Sequence, residues 1–250
     1  MSEIWESRGY RIASSNMKRA NNPNLLILET AVHRLGSLAD EFVFLGGCAT
    51  GLLLTDAAAP PIRQTVDVDV IVQVLSKAEY YALSERLREL GFREDTSDDA
   101  PICRWTSGSV ILDVMPTDPT LLGFGNVWYQ PAMEHAIEMS LSSGKSIHVV
   151  SSPYFLITKL EAFDGRGAGD YQMSHDIEDI VAVIDGRPVI VEEVRDSVTE
   201  LRAALAERFQ ALLNTSRFVA AVYGHMPTDE ASQERVPIVI DRMRQIAEIQ

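Results

Sequence analysis

Arg63-Gln64-Thr65-Val66-Asp67-Val68-Asp69-Val70-Ile71-Val72 is the stretch on which the fold turns. Val and Asp alternate and then give way to unbroken apolar residues. That pattern predicts a β-strand over 65–74, polar on one face at its start and buried beyond it. Residues two apart on a strand project from one face, so Asp67 and Asp69 point the same way. Two neighbouring carboxylates repel and resist desolvation unless a cation lies between them. Magnesium takes oxygen ligands and keeps waters or phosphate oxygens in its other positions, so it answers that need. An Asp-x-Asp pair on a solvated strand face is the plainer alternative.

Downstream, Val110-Ile111-Leu112-Asp113-Val114-Met115 sets a single acid in an apolar strand. A buried charge is costly unless paired or ligated. If this strand lies beside the first, Asp67, Asp69 and Asp113 converge, enough for two metal ions. Exposure at a bend, or an ion pair with a residue such as Arg104, would also account for Asp113. Upstream, Phe42-Val43-Phe44-Leu45 reads as a short buried strand ending at Gly46-Gly47, with a helix starting around Cys48 to Thr50. Glycines allow close backbone approach, and the N–H groups of a first helical turn can hold a phosphate. The same pair is also a common tight turn.

Around these motifs, apolar residues at Leu25, Leu28, Val32, Leu35 and Leu38 keep the helical period. Ser76, three residues before Glu79, is the expected N-cap of a helix that stops at Gly91. Strands are expected at 102–106 and 109–115. Residues 1–118 therefore form an α/β or α+β core, and the first two dozen residues are a loose extension or a short helix. After Asp118 the texture turns mainly helical, with helices expected at Pro131–Leu141, Pro153–Phe163, His175–Ile184, Val191–Leu213 and Ala231–Ile249. One strand is expected at Ser146–Val150. The domain boundary is placed near 116–130, making 119–250 a helical second domain.

The chain has 250 residues, 46% of them hydrophobic, enough for one large domain or two modest ones. Its longest apolar stretches, such as Phe42–Leu54, fall short of the roughly 20 residues of a membrane span, so no membrane partner is expected. Glu3, Glu6, Arg8 and Arg11 stand where a secretory signal would need a basic start and an apolar run. A cytoplasmic location follows, in which Cys48 and Cys103 are buried thiols rather than a disulfide or metal cluster. The net charge of -14 repels nucleic-acid backbones unless a local basic patch intervenes. It leaves room for a nucleotide carried with its magnesium and favours a cationic substrate.

Read together, Phe44-Leu45-Gly46-Gly47-Cys48-Ala49, Arg63-Gln64-Thr65-Val66-Asp67-Val68-Asp69-Val70 and Ile111-Leu112-Asp113-Val114 resemble the signature of the polymerase-β-like nucleotidyltransferases. The resemblance is greatest to the AbiEii-like branch, known as toxins of type IV toxin-antitoxin systems. That branch carries a Gly-Gly or Gly-Ser helix turn, an Arg-x-Ser/Thr-x-Asp-x-Asp strand, and a later Lys with a downstream Arg and Asp. Lys159-Leu160-Glu161-Ala162-Phe163, Arg166 and His175-Asp176-Ile177-Glu178-Asp179-Ile180 match the later part, and the likeness spans about residues 42–185. The gap from Gly47 to Asp67 is longer than in the compact small-molecule members. Extra residues in 165–173 leave Asp170 as a rival to Asp176, and Cys48 stands where many relatives have Ser or Thr.

The resemblance implies an α+β fold, a small mixed β-sheet flanked by helices with a mainly helical C-terminal domain. It implies that Asp67 and Asp69 bind two magnesium ions and a nucleoside triphosphate, while Asp113 ligates the catalytic metal and helps deprotonate the acceptor. Gly46, Gly47 and Thr50 would meet phosphate, Arg63 and Lys159 are candidates for the triphosphate, and Asp176 would position the nucleotide. Without the resemblance, Lys159 is equally a snorkelling surface lysine, and His175 a polar residue at a helix start. The implied acceptor is RNA such as a tRNA end, with a cognate antitoxin as protein partner. Only scattered basic candidates for an RNA surface are present, such as Arg195, Arg202, Arg208 and Arg217. A cationic aminoglycoside-type acceptor, or an inert nucleotide-binding module, are the competing expectations.

Overall fold

The computed structural model describes residues 22–74, 76–166 and 169–249. The opening segment through residue 21, with its choice between extension and short helix, lies outside the described residues. The rest forms two compact units, 22–51 with 63–151 and 52–62 with 152–249.

The first unit is α+β. Its sheet is built from β1 (Phe42–Leu45), β2 (Asp67–Val72), β3 (Arg93–Glu94), β4 (Arg104–Ser107), β5 (Val110–Pro116), β6 (Ile137–Ser140) and β7 (Ser146–Val149). Their spatial order is β3-β4-β5-β2-β1-β7-β6. β2 runs parallel to β5 and β1 parallel to β7, while the other neighbours are antiparallel. The sheet is therefore mixed, as expected. Its helices are α1 (Leu25–Leu35), α2 (Gly46–Leu53), α3 (Lys77–Glu89) and α4 (Tyr129–Glu134), with a 3-10 turn at Gly36–Glu41. α1 buries Leu28, Ala31, Val32 and Leu35, the stripe its three-and-four spacing dictates. The Ser76 hydroxyl accepts from the Glu79 amide at 3.2 Å and caps α3. At the other end of α3, Gly91 turns the chain with φ 84.

Two expectations need correction here. The helix expected over Pro131–Leu141 stops at Glu134, and residues 137–140 become β6, because Ile137 and Met139 pair with Val149 and Ile147 of β7. That hairpin ties residues 137–149 to the sheet. Residues 116–130, where the boundary was expected, therefore lie inside the first unit, which runs on to residue 151, and segment 52–62 goes with the second.

The second unit is helical: α5 (Ser152–Arg166), α6 (His175–Gly186), α7 (Ile190–Arg195), α8 (Thr199–Leu213), α9 (Ser216–Gly224), α10 (Glu230–Gln233) and α11 (Val236–Ala247). The single helices expected over 191–213 and 231–249 are each broken in two, and α9 was not foreseen. Phe155, Leu160, Ile177, Ile180, Leu205, Phe209, Phe218 and Met243 form its apolar interior. Segment 52–62 belongs to this unit because it satisfies the end of α6. The amides of Thr55 and Asp56 donate to the Gly186 carbonyl at 2.8 and 2.9 Å. Arg187, itself buried, donates to the Leu53 carbonyl. No described helix is long and apolar enough to cross a membrane.

Candidate functional site

Strand register decides where the acids go. Across the first unit's sheet, Leu45 of β1 faces Asp69 of β2, Asp69 faces Asp113 of β5, and Asp113 faces Arg104 of β4. Residues in register on paired strands share a face, and a slip of one position would send Asp113 through the sheet. Asp67 lies on the same face two residues before Asp69. The opposite face carries Val68, Val70, Leu112, Val114 and Trp105, all buried. The structure thus brings Asp67, Asp69 and Asp113 to one side of the sheet, where β1 ends and the glycine turn begins.

Arg104 spans two of these acids. Its Nε donates to Asp113 Oδ1 at 2.8 Å and its Nη2 to Asp113 Oδ2 at 2.7 Å, a fork on one carboxylate. The same Nη2 donates to Asp67 Oδ2 at 3.1 Å. Asp113's hydrogen bonds hold the Arg104 guanidinium even more firmly protonated than usual. The ion pair that sequence reasoning held as the other account of Asp113 is therefore present, alongside the convergence. Thr65 donates its hydroxyl to Asp67 Oδ1 at 2.6 Å and fixes that carboxylate from the other side. Next to Arg104, burial and then the Asp113 charge push the Cys103 thiol up to about 12, which makes it an inert neighbour.

The glycine turn rests against this face. Gly46 has φ 69, and a Cβ placed there would stand 1.9 Å from Asp69 Oδ2. Only glycine fits. A Cβ at Gly47 would stand 2.6 Å from Arg63 Nη2 and 3.3 Å from Thr65 Cβ, so Arg63 lies across the second glycine. One residue that sequence reasoning missed ties these parts together. The fully buried Asn24 donates through Nδ2 to the carbonyls of Gly47 and Arg63, both at 3.1 Å, and accepts from the Thr65 amide at 2.9 Å. Its only signal in the sequence was a polar residue in an Asn-Pro-Asn turn.

Thr50 is not brought to the acidic face. Its hydroxyl is buried and directed back at the Gly46 carbonyl, 3.4 Å away within its own helix. Lys159 and Asp176 lie in the second unit, where Lys159 Nζ is 3.0 Å from Asp176 Oδ1 and 2.7 Å from Asp179 Oδ2. All three are buried, so Lys159 is not a snorkelling surface residue. Arg166 adds a fork onto Asp176 at 3.0 and 2.8 Å. Burial works to raise the Asp176 pKa, but the Arg166 bonds and the Lys159 charge outweigh it and hold the carboxyl below its usual range. Asp170, by contrast, is exposed and accepts from the Gln172 and Met173 amides. His175 is exposed and meets Glu178 at 3.1 Å, while Asp179 is buried and paired with Lys159.

As a donor set, three carboxylates on one face suit a hard cation such as magnesium. Among the described residues, however, no group of three or more His, Cys, Asp or Glu side chains stands in metal-holding array. Between Asp67 and Asp113 the positive charge is the Arg104 guanidinium. No family model matches the chain, and no curated protein matches it.

Proposed function

We propose that the chain is a magnesium-dependent nucleotidyltransferase of the polymerase-β-like superfamily. It would move a nucleoside monophosphate from a triphosphate to a hydroxyl acceptor. The observation that carries this reading is the register of Asp69 on Asp113, which puts three acids on one face beside a glycine turn. Magnesium bound there would neutralise the triphosphate and ease ionisation of the attacking hydroxyl. Asp67, Asp69 and Asp113 are the residues that would hold it. In this reading, which follows the resemblance, Asp113 would help to deprotonate the acceptor as the acceptor oxygen bonds to the α-phosphorus. The bond from that phosphorus to the β-phosphate bridging oxygen breaks, and pyrophosphate leaves. Arg63, lying across Gly47, offers its guanidinium to the phosphates. Lys159 and Asp176, which the resemblance also assigns to the nucleotide, make a buried ion-pair group with Asp179 and Arg166 inside the second unit.

For the acceptor, RNA in the manner of an AbiEii-like toxin, with a cognate antitoxin as partner, is the first proposal. Two of the arginines named as candidates for RNA are already engaged: Arg208 with Glu161 and Asp164, and Arg202 with the carbonyls of Arg195 and Ser197. That fact and the net charge of -14 keep a cationic antibiotic as the competing acceptor. A second reading, an inert nucleotide-binding module, draws its support from Arg104, which neutralises two of the three acids without a metal. Incubation of the protein and magnesium with each of the four α-labelled triphosphates, total RNA and a panel of aminoglycosides separates these. Label on RNA or on an antibiotic identifies the acceptor. Thermal stabilisation by a magnesium triphosphate without label on anything indicates the inert module.

A further inference from the structure

We propose that Arg104 is an internal counter-cation that competes with divalent metal for Asp67, so that metal and triphosphate bind cooperatively. The inference rests on the reading of the acidic face as a metal site. Arg104 stands directly opposite Asp113 on the neighbouring strand, so the β4–β5 ladder fixes its backbone beside that acid. Its two bonds to Asp113, at 2.8 and 2.7 Å, form a planar fork, whereas its single bond to Asp67 is longer, at 3.1 Å. One nitrogen, Nη2, serves both carboxylates, and it therefore holds positive charge between them. Asp67 is the contact that gives way. It is the weaker of the two, and Thr65 keeps Asp67 oriented after Arg104 lets go.

Guanidinium does not lose its proton in proteins, so pH cannot relieve the competition and only movement can. The side chain has room for it, being 22% exposed where Asp113 is 9% exposed. A bare divalent cation must therefore displace the Arg104–Asp67 contact with only water, and no anionic acceptor, to receive the freed N–H donor. A triphosphate arriving with the metal receives it, because phosphate oxygens match the guanidinium fork. Each ligand then favours the other by the same factor.

The test is titration of the full-length protein with Mn2+, followed by electron paramagnetic resonance, with and without a non-hydrolysable triphosphate. Wild type is compared with Arg104→Gln and Arg104→Lys; the lysine variant keeps the positive charge and safeguards the fold if the glutamine variant does not survive. Removing a charge-assisted contact should tighten binding of bare Mn2+ by about tenfold in Arg104→Gln, by less in Arg104→Lys, and shrink the coupling between Mn2+ and triphosphate in both. Measurable Mn2+ binding that is equally tight in wild type and both variants overturns the role of Arg104 while leaving the metal site standing. Absence of Mn2+ binding in all three proteins, with or without triphosphate, overturns the metal site and the inference together.

Discussion

Gly46→Ala puts a methyl group where the structure has none to spare. At φ 69 an L-residue sits in the left-handed region, which costs about 1–2 kcal/mol. The added Cβ would also stand 1.9 Å from Asp69 Oδ2, 2.6 Å from Cγ and 2.9 Å from Cβ. Rotating the carboxylate relieves the first two contacts, but Asp69 Cβ is anchored to the centre of the sheet. The glycine turn and β2 must therefore part by a few tenths of an ångström, an overpacking penalty of about 1–3 kcal/mol. The sum is about 2–5 kcal/mol. Gly91→Ala supplies the control. Its φ is 84, yet the nearest atom to the new Cβ is Ser107 Oγ at 3.9 Å, so backbone strain is the whole cost, about 1–2 kcal/mol. Urea denaturation of the two variants should separate them by at least about 1 kcal/mol. Only Gly46→Ala should lose stabilisation by a magnesium triphosphate, because only there is Asp69 turned from its row. Equal destabilisation of the two variants, or unchanged nucleotide stabilisation in Gly46→Ala, would refute the packing argument.

Asn24→Ala strands the buried Thr65 amide and two carbonyls, and should cost at least about 1–3 kcal/mol in urea denaturation. Faster amide hydrogen exchange at Thr65 should accompany that loss. Lys159→Met leaves Asp176 and Asp179 without the ammonium they share, and a loss of about 3–5 kcal/mol is expected in the same assay. Asp176 has a folded-state pKa below its unfolded one, so its contribution is complete above the ordinary carboxylate range near pH 4 and fades as pH falls through the folded value. A series of urea midpoints from pH 6 to pH 2 should fall in wild type, and the fall should be shallower in Asp176→Asn.

The centre of the first unit could be read from local pattern. Alternation in Val66-Asp67-Val68-Asp69-Val70 marked β2 and put both acids on one face, and Ser76 with Glu79 marked the start of α3. These are short-range signals, settled by strand and helix periods and by one cap. What escaped depends on partners distant in sequence. β6 is a strand because β7 lies beside it; taken alone, residues 131–141 suit a helix equally well. β3 is two residues long, too short to leave a period. Asn24 acts through Gly47, Arg63 and Thr65, 23 to 41 positions away, so its own neighbourhood announces a turn but not that role. Asp113 was read as a charge in need of a cation. Both answers considered for it, convergence with Asp67 and Asp69 and pairing with Arg104, occur together, because β4 and β2 flank β5 on its two sides.

If Asp69 and Asp113 act as one site with Asp67, transfer of α-phosphorus label requires both. Wild type, Asp69→Asn and Asp113→Asn are incubated with the labelled triphosphate, the acceptor found for wild type, and magnesium or chelator. Label should reach the acceptor with wild type and magnesium alone, and each single variant should lower transfer by at least about a hundredfold. Undiminished transfer in either variant, or transfer by wild type in the presence of chelator, would contradict the account.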